Sequence, residues 1–235
     1  MSGRSVVVTG GNRGLGLACA RAFAAAGDKV AVTHRGSGAP DDLFGVVCDL
    51  RDSAQTGEAF AEVKRQQGPV EVLVANAGVA DDGLLLGMDR ERFMSVVEVN
   101  LGNGYEAVRR VVPDMIRARR GRIVLMSSVA ALRGFAGQAN YAASKAGLIG
   151  MARSLAREFA QWGITVNVVA PGLVDAGMTD TLPAATVERI VTEVPLGRMA
   201  TAAEVADAVL WVASPGAGYV TGAVIPVDGG LGMGH

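Results

Sequence analysis

Seven short apolar runs punctuate the chain: Val6–Thr9, Val30–Thr33, Val46–Cys48, Val70–Ala75, Arg122–Ser127, Thr165–Ala170 and Ala223–Val227. Within most of them apolar residues follow one another with little alternation. That pattern suits strands buried on both faces, as in a parallel sheet. Longer Ala-rich stretches at 14–26, 54–67, 89–118, 140–161 and 201–213 carry helical spacing. The third is expected to break near Leu101–Gly104, where two glycines would loosen it. Strand–helix alternation repeated this often predicts a doubly wound α/β sandwich. No repeat, low-complexity segment or linker divides it, so residues 1–235 are expected to form a single domain. The stretch 173–200 has Gly, Pro, Met and Thr and no clean period. It reads as an insertion after the sixth strand. Ligands of open α/β sheets bind beyond the carboxyl ends of the strands, so a substrate lid is expected there.

Composition narrows the function classes. The 235 residues are 50 % hydrophobic and 19 % charged, which suits a well-filled core and disfavours disorder. The net charge of −1 disfavours a general nucleic-acid binder. No apolar run reaches 18 residues, so no membrane span is expected. The first strand-like run begins at Ser5, leaving no room for a secretory signal. Cys19 and Cys48 stand in no metal or redox spacing. They are expected to be buried thiols of a reducing, cytoplasmic compartment, and no metal site is read.

The first strand runs into Thr9-Gly10-Gly11-Asn12-Arg13-Gly14-Leu15-Gly16. A glycine-rich turn between strand and helix lets backbone approach a pyrophosphate, and the helix amino end favours its charge. The spacing is Gly-x-x-x-Gly-x-Gly. The second strand ends in Val32-Thr33-His34-Arg35-Gly36, without the carboxylate that would accept from the ribose hydroxyl of NAD. Arg35 and Arg13 suit the 2′-phosphate of NADP, because a guanidinium is a planar fork of donors; they also read as two exposed loop arginines. Asp49, after the third strand, reads either as a partner for the adenine edge or as a strand-end turn or helix cap.

Ser128…Tyr141-Ala142-Ala143-Ser144-Lys145 carries the chemistry. Tyr141 and Lys145 are four residues apart and so share a helix face. They come from only three tyrosines and three lysines in the chain. A nearby ammonium favours the phenolate and is expected to lower the Tyr141 pKa, fitting it for acid–base work. Ser128, at the end of the fifth strand, is placed to hold a carbonyl oxygen.

Together, Thr9-Gly10-x-x-x-Gly14-x-Gly16, Asn76-Ala77-Gly78, Asn100, Ser128, Tyr141-x-x-x-Lys145 and Pro171-Gly172 resemble the short-chain dehydrogenase/reductase family. The resemblance spans nearly the whole chain. Gly137–Gly147 and Ala223–Gly230 are similar to the 3-oxoacyl-[acyl-carrier-protein] reductases within it. The resemblance implies a Rossmann-type α/β fold: a doubly wound, parallel, seven-stranded sheet with helices on both faces. It implies reduction of a 3-oxoacyl thioester on acyl carrier protein by NADPH, in fatty-acid or polyketide synthesis. Tyr141 would protonate the developing alkoxide and Ser128 would bond the same oxygen. Lys145 would lower the Tyr141 pKa and bind the nicotinamide ribose. Asn100 would hold a water linking Lys145 to solvent. Cofactor contacts are implied for Gly10, Asn12, Arg13, Gly14, Leu15, Gly16, Arg35, Asp49, Leu50, Asn76, Ala77, Gly78, Tyr141, Lys145, Pro171, Gly172 and Val174.

Several positions depart from the family pattern. Leu101-Gly102-Asn103-Gly104 follows Asn100, Ala176 stands where a cofactor-touching Thr is frequent, and Leu132-Arg133-Gly134-Phe135 is bulky and charged. Arg109, Arg110, Arg117, Arg119, Arg120 and Arg122 are opposed along the chain only by Asp114. They read either as a solvated helix end or as an electropositive rim for an acidic acyl carrier protein. The resemblance associates the place of Arg119 with that docking. It puts Trp162 where a second basic residue is frequent, and it implies a homotetramer. Two other functions stay open: an alcohol dehydrogenase for a free small ketone or sugar, and a non-catalytic NADP-binding regulator.

Overall fold

A computed structural model describes residues 3–177, 179 and 183–233. Its strands are β1 (Ser5–Val8), β2 (Lys29–His34), β3 (Phe44–Val47), β4 (Val72–Ala75), β5 (Gly121–Met126), β6 (Ile164–Pro171) and β7 (Val224–Val227). They form one parallel sheet in the order β3-β2-β1-β4-β5-β6-β7. The order reverses between β1 and β4, which makes that the switch point where such sheets take ligands.

The helices are α1 (Gly14–Ala25), α2 (Ser53–Gln67), α3 (Arg90–Val97), α4 (Asn103–Ala118), α5 (Ala130–Arg133), α6 (Ala139–Phe159), α7 (Ala184–Glu193) and α8 (Ala202–Val212). The unbroken apolar runs are explained by two cores. Val6 and Val8 of β1 pack with Cys19, Phe23, Val205 and Val209 of α1 and α8 on one face. Val7 points the other way, among Phe60, Val63, Val111 and Leu148 of α2, α4 and α6. Burying a valine side chain stabilises by about 1.5–3 kcal/mol, so a polar substitution on either face of β1 would remove a comparable amount. Helix starts follow local chemistry: Asp52 caps α2, Asp89 caps α3, and Thr201 with Glu204 forms a capping box on α8. Both cysteines are buried and free, and burial pushes the Cys19 thiol up to about 12.

Two expectations need correction, and one further element appears. The chain does not break near Leu101–Gly104; it runs from α3 through a π-helical turn, Glu98–Gly102, into α4. Of the two glycines, Gly104 serves close packing, whereas a Cβ on Gly102 would meet only Glu98 at 3.8 Å. A Cβ on Gly104 would lie 2.9 Å from a Leu148 methyl of α6, and one on Gly147 of α6 would lie 2.8 Å from Leu101. The residues around Leu132 form the short helix α5. The 173–200 insertion contains α7, which carries Val187, Ile190 and Val191 at helical spacing and ends just before Val194. Residues 178 and 180–182 of the expected lid lie outside the described residues. Among the described residues no helix is long and apolar enough to cross a membrane.

Candidate active site

The carboxyl ends of β1, β4, β5 and β6 bring four distant segments to one edge. After β1 the backbone turns through Gly10 (φ 62°) and Gly14 (φ 53°), the left-handed region that side chains rarely enter. A Cβ on Gly16 would meet Gly10 O at 2.4 Å and Asn76 Nδ2 at 2.5 Å. The turn therefore curls tightly onto the segment after β4. Thr9 Oγ1 accepts from the Asn76 and Ala77 amides, both at 3.0 Å, while Asn76 Nδ2 donates to Thr9 O at 3.0 Å. Thr9 was read as part of the turn motif but without a role of its own; its signal was a polar residue ending an apolar strand.

The Asn12 side chain bridges loops. Its Nδ2 donates to Ser37 Oγ at 2.9 Å and to Gly38 O at 3.0 Å. The glycine turn is thus tied to the loop after β2, which carries Arg35. Arg35 and Arg13 are exposed, and neither forms an ion pair within the described residues. No carboxylate lies between Val32 and Ser37. This cradle of small residues, flanked by guanidinium groups that form no ion pair within the described residues, fits a phosphorylated dinucleotide.

Two neighbouring positions are engaged within the protein, Asp49 in the strand-end turn that was one of its two readings. Asp49 is clasped by Arg51, whose hydrogen bond, foremost among the causes, holds the carboxyl down at about 2. Its carboxylate is engaged within its own turn, and Asp52 takes the capping role. The side chain of Leu50 is buried in the core, so only its backbone is left to meet a ligand. Beyond β6, Gly172 has no room for a side chain, because a Cβ would lie 2.8 Å from Asp228 Cα. The Pro171 carbonyl accepts from Val129 N–H at 2.8 Å. Val174 forms an isolated bridge with Ala200 and is buried. Next to it, Ala176 packs against the core and Gly177 reaches the glycine turn. A Cβ on Gly14 would stand 3.4 Å from Gly177 Cα.

The catalytic candidates do converge. Ser128 follows β5; its Oγ accepts from Ala130 N–H at 3.2 Å and lies close enough to the Tyr141 phenol to favour the phenolate. Lys145 lies one turn further along α6, its Nζ 5.6 Å from the centre of the Tyr141 ring. That amine is buried and donates to Met126 O at 2.8 Å. Burial, not the ammonium, dominates here. It pushes the Tyr141 phenol up to about 12, against the lowering expected from Lys145, and only the neighbouring Ser128 hydroxyl pulls the other way. Burial also brings the Lys145 ammonium down to about 8. Removing both groups from water penalises their charged forms more than their mutual attraction restores.

Asn100 sits in the π-helical turn, buried, with its side chain engaged. Oδ1 accepts from Val79 N–H at 2.8 Å, and Nδ2 donates to Val79 O at 3.0 Å and Ser144 Oγ at 2.9 Å. Ser144 in turn donates to Tyr141 O at 2.7 Å. Asn100 therefore braces the Tyr141 turn of α6 against the segment after β4. A Cβ on Gly78 would fall 3.0 Å from Asn100 Oδ1 and 3.3 Å from Lys145 Nζ, so Gly78 closes the floor of the site. Sequence reasoning missed two supports. Ser127 Oγ donates to Lys145 O at 2.9 Å, and the fully buried Asn140 links Tyr141 N–H to Asp81 O.

The arginine cluster looks different in three dimensions. Glu106 pairs with Arg109 and Arg110, Asp114 with Arg117, and Glu71 with Arg120. Opposition by Asp114 alone held only along the chain. Arg119 is exposed and without a carboxylate partner within the described residues; it donates to Gln161 O at 3.1 Å from a left-handed backbone (φ 52°). Trp162, beside it, packs against Phe159 with ring centres 6.3 Å apart.

The family described as enoyl-(acyl carrier protein) reductase matches residues 10–232. The 3-oxoacyl-[acyl-carrier-protein] reductase MabA of Mycobacterium avium is 54 % identical over 232 residues, covering 99 % of this chain and 91 % of its own. MabA of Mycobacterium tuberculosis (strain ATCC 25618 / H37Rv) is 53 % identical over 232 residues, covering 99 % and 94 %. The 3-oxoacyl-[acyl-carrier-protein] reductase FabG of Escherichia coli (strain K12) is 41 % identical over 239 residues, covering 98 % of each. Likeness of this degree, running the length of the chain, makes it a member of the short-chain dehydrogenase/reductase family.

Proposed function

We propose that this chain reduces the ketone of a 3-oxoacyl thioester carried on acyl carrier protein, using NADPH, in fatty-acid synthesis. The observation that carries this reading is the hydroxyl pair of Ser128 and Tyr141 beside a buried Lys145, at the carboxyl edge of the sheet. Two hydroxyls converging on one point suit a carbonyl oxygen that gains charge as it is reduced. Ser128 holds that oxygen and Tyr141 gives it a proton. Lys145, when charged, favours the phenolate that remains. Asn100 and Ser144 keep the tyrosine turn of α6 in place. The glycine turn, Arg13 and Arg35 would hold NADPH, which supplies the hydride when bound. The names of the relatives support the substrate class.

Purified protein is mixed with NADPH and a 3-oxoacyl thioester, a 2-enoyl thioester or a free small ketone. The 3-oxoacyl compound is expected to consume cofactor fastest. Turnover of the enoyl compound alone would support the reaction in the family description instead. Preference for the free ketone would favour an alcohol dehydrogenase, and no turnover of any would favour a regulator.

Docking of the carrier is tested at Arg119, whose charge has no acidic partner within the described residues. Arg119→Glu is expected to raise KM for the carrier-bound substrate by about tenfold, since a charge reversal both removes attraction and adds repulsion. The KM of a short carrier-free thioester should stay unchanged. An equal rise for both would make Arg119 structural.

A further inference from the structure

Residues 134–138 join α5 to α6, lying between Ser128 and Tyr141 in the chain. They are held from two sides. On one side Gly83 N–H donates to Gly137 O, and Gln138 Nε2 donates to Asp82 Oδ2, each at 2.8 Å. On the other, the Arg133 guanidinium pairs with Glu193, the last residue of α7. The same guanidinium lies 5.4 Å from the centre of the Phe135 ring.

Phe135 is shared between two apolar clusters. One contains Val79, Val96, Ala130 and Tyr141. The other contains Val129, Ile190, Val194 and Leu231. A single ring thus connects the catalytic tyrosine to α7. That helix buries none of its own side chains. Its carboxyl end is nevertheless a fixed point: Val194 is buried and Leu196 N–H donates to Gly229 O at 3.2 Å. A carboxylate next to a fixed point can hold a partner in place, whereas one on a loose helix cannot.

We propose that Arg133 and Glu193 are a positioning pair: they set Phe135 against the Tyr141 cluster and so fix the acyl side of the approach to the tyrosine. The pair touches no reacting atom and acts through the ring. This rests on the acyl-thioester reading above. It also gives a role to the bulky, charged Arg133-Gly134-Phe135 segment that departs from the family pattern.

The test uses an uncharged, carrier-free 3-oxoacyl thioester, so that carrier docking does not contribute. Arg133→Ala and Glu193→Gln are each expected to raise its KM about three- to fivefold, the range of an exposed pair assisted by a ring contact. The kcat should stay within about twofold, because Ser128, Tyr141 and Lys145 are untouched. The double variant should resemble either single one, and the charge-swapped Arg133→Glu/Glu193→Arg protein should recover most of the loss. Added salt should raise the wild-type KM and leave that of Arg133→Ala unchanged. Amide exchange at 133–138 is read in parallel and needs no turnover; it should quicken in both single variants. Additive losses, no recovery on swapping, or unchanged exchange would overturn the pair. Exchange that quickens in a protein that turns over no thioester would keep the pair and overturn the substrate reading.

Discussion

Replacing Tyr141 by phenylalanine is expected to lower turnover by two or more orders of magnitude, roughly the contribution of a positioned general acid. The ring stays, and with it the packing against Val96 and Ala130. What goes is the buried hydroxyl next to Ser128. Losing one buried hydrogen bond removes about 0.5–1.5 kcal/mol of stability, too little to unfold the sheet. Cofactor affinity should therefore survive while kcat collapses. Cofactor titration and steady-state rates on the same preparation check both halves. Near-wild-type turnover would remove Tyr141 from the proton transfer. The neighbouring amine adds a pH dependence. Burial holds Lys145 at about 8, so the ammonium that favours a phenolate is present below that pH and lost above it. Tyr141, at about 12, keeps its proton throughout the working range. Reduction by the wild type is thus expected to be flat below about pH 8 and to fall above it. A rate that climbs through this interval would contradict the role of Lys145.

Arg35→Asp is expected to invert or erase a preference for NADPH over NADH of at least about tenfold. The 2′-phosphate of NADPH carries close to two negative charges near neutral pH. The end of β2 offers it no carboxylate, and Asn12 ties the glycine turn bearing Arg13 to the loop bearing Arg35. Aspartate there would remove an attraction, add a repulsion, and offer the ribose hydroxyl of NADH an acceptor. Because both guanidinium groups are exposed, the wild-type preference should shrink with added salt. The ratio of kcat/KM for the two cofactors, in wild type and variant, is the measurement. Equal use of both cofactors by the wild type would show that the phosphate is not read at this strand end.

Most of the strands were easy to read because they are apolar on both faces and flanked by glycine or polar residues. Val6, Val7 and Val8 belong to different cores, yet all three are buried, so no alternation was present to confuse the reading. The boundaries of α2 and α8 follow cap residues in the sequence. Helix α7 escaped notice because its stripe is short and surrounded by Gly, Pro and Thr. The π-helical turn escaped because two glycines next to an asparagine look like a break. The use of Gly104, close approach of α4 to α6, depends on Leu148, which no local window pairs with it.

The sequence by itself determined the alternating architecture, the glycine turn, the absence of a carboxylate after β2, and the spacing that puts Tyr141 and Lys145 on one helix face. These are local properties: spacing along a helix or strand is set by backbone geometry, whatever packs around it. The tertiary structure decided everything that depends on burial and on partners distant in the chain. It reversed the sign of the Tyr141 shift, because desolvation is a property of the surrounding protein and not of a motif. It gave four of the six clustered arginines carboxylates from Glu71, Glu106 and Asp114 and left Arg119 without one. It also placed Glu193 of α7 against Arg133, 60 residues away in sequence, because only the fold brings the end of an insertion onto the loop before α6.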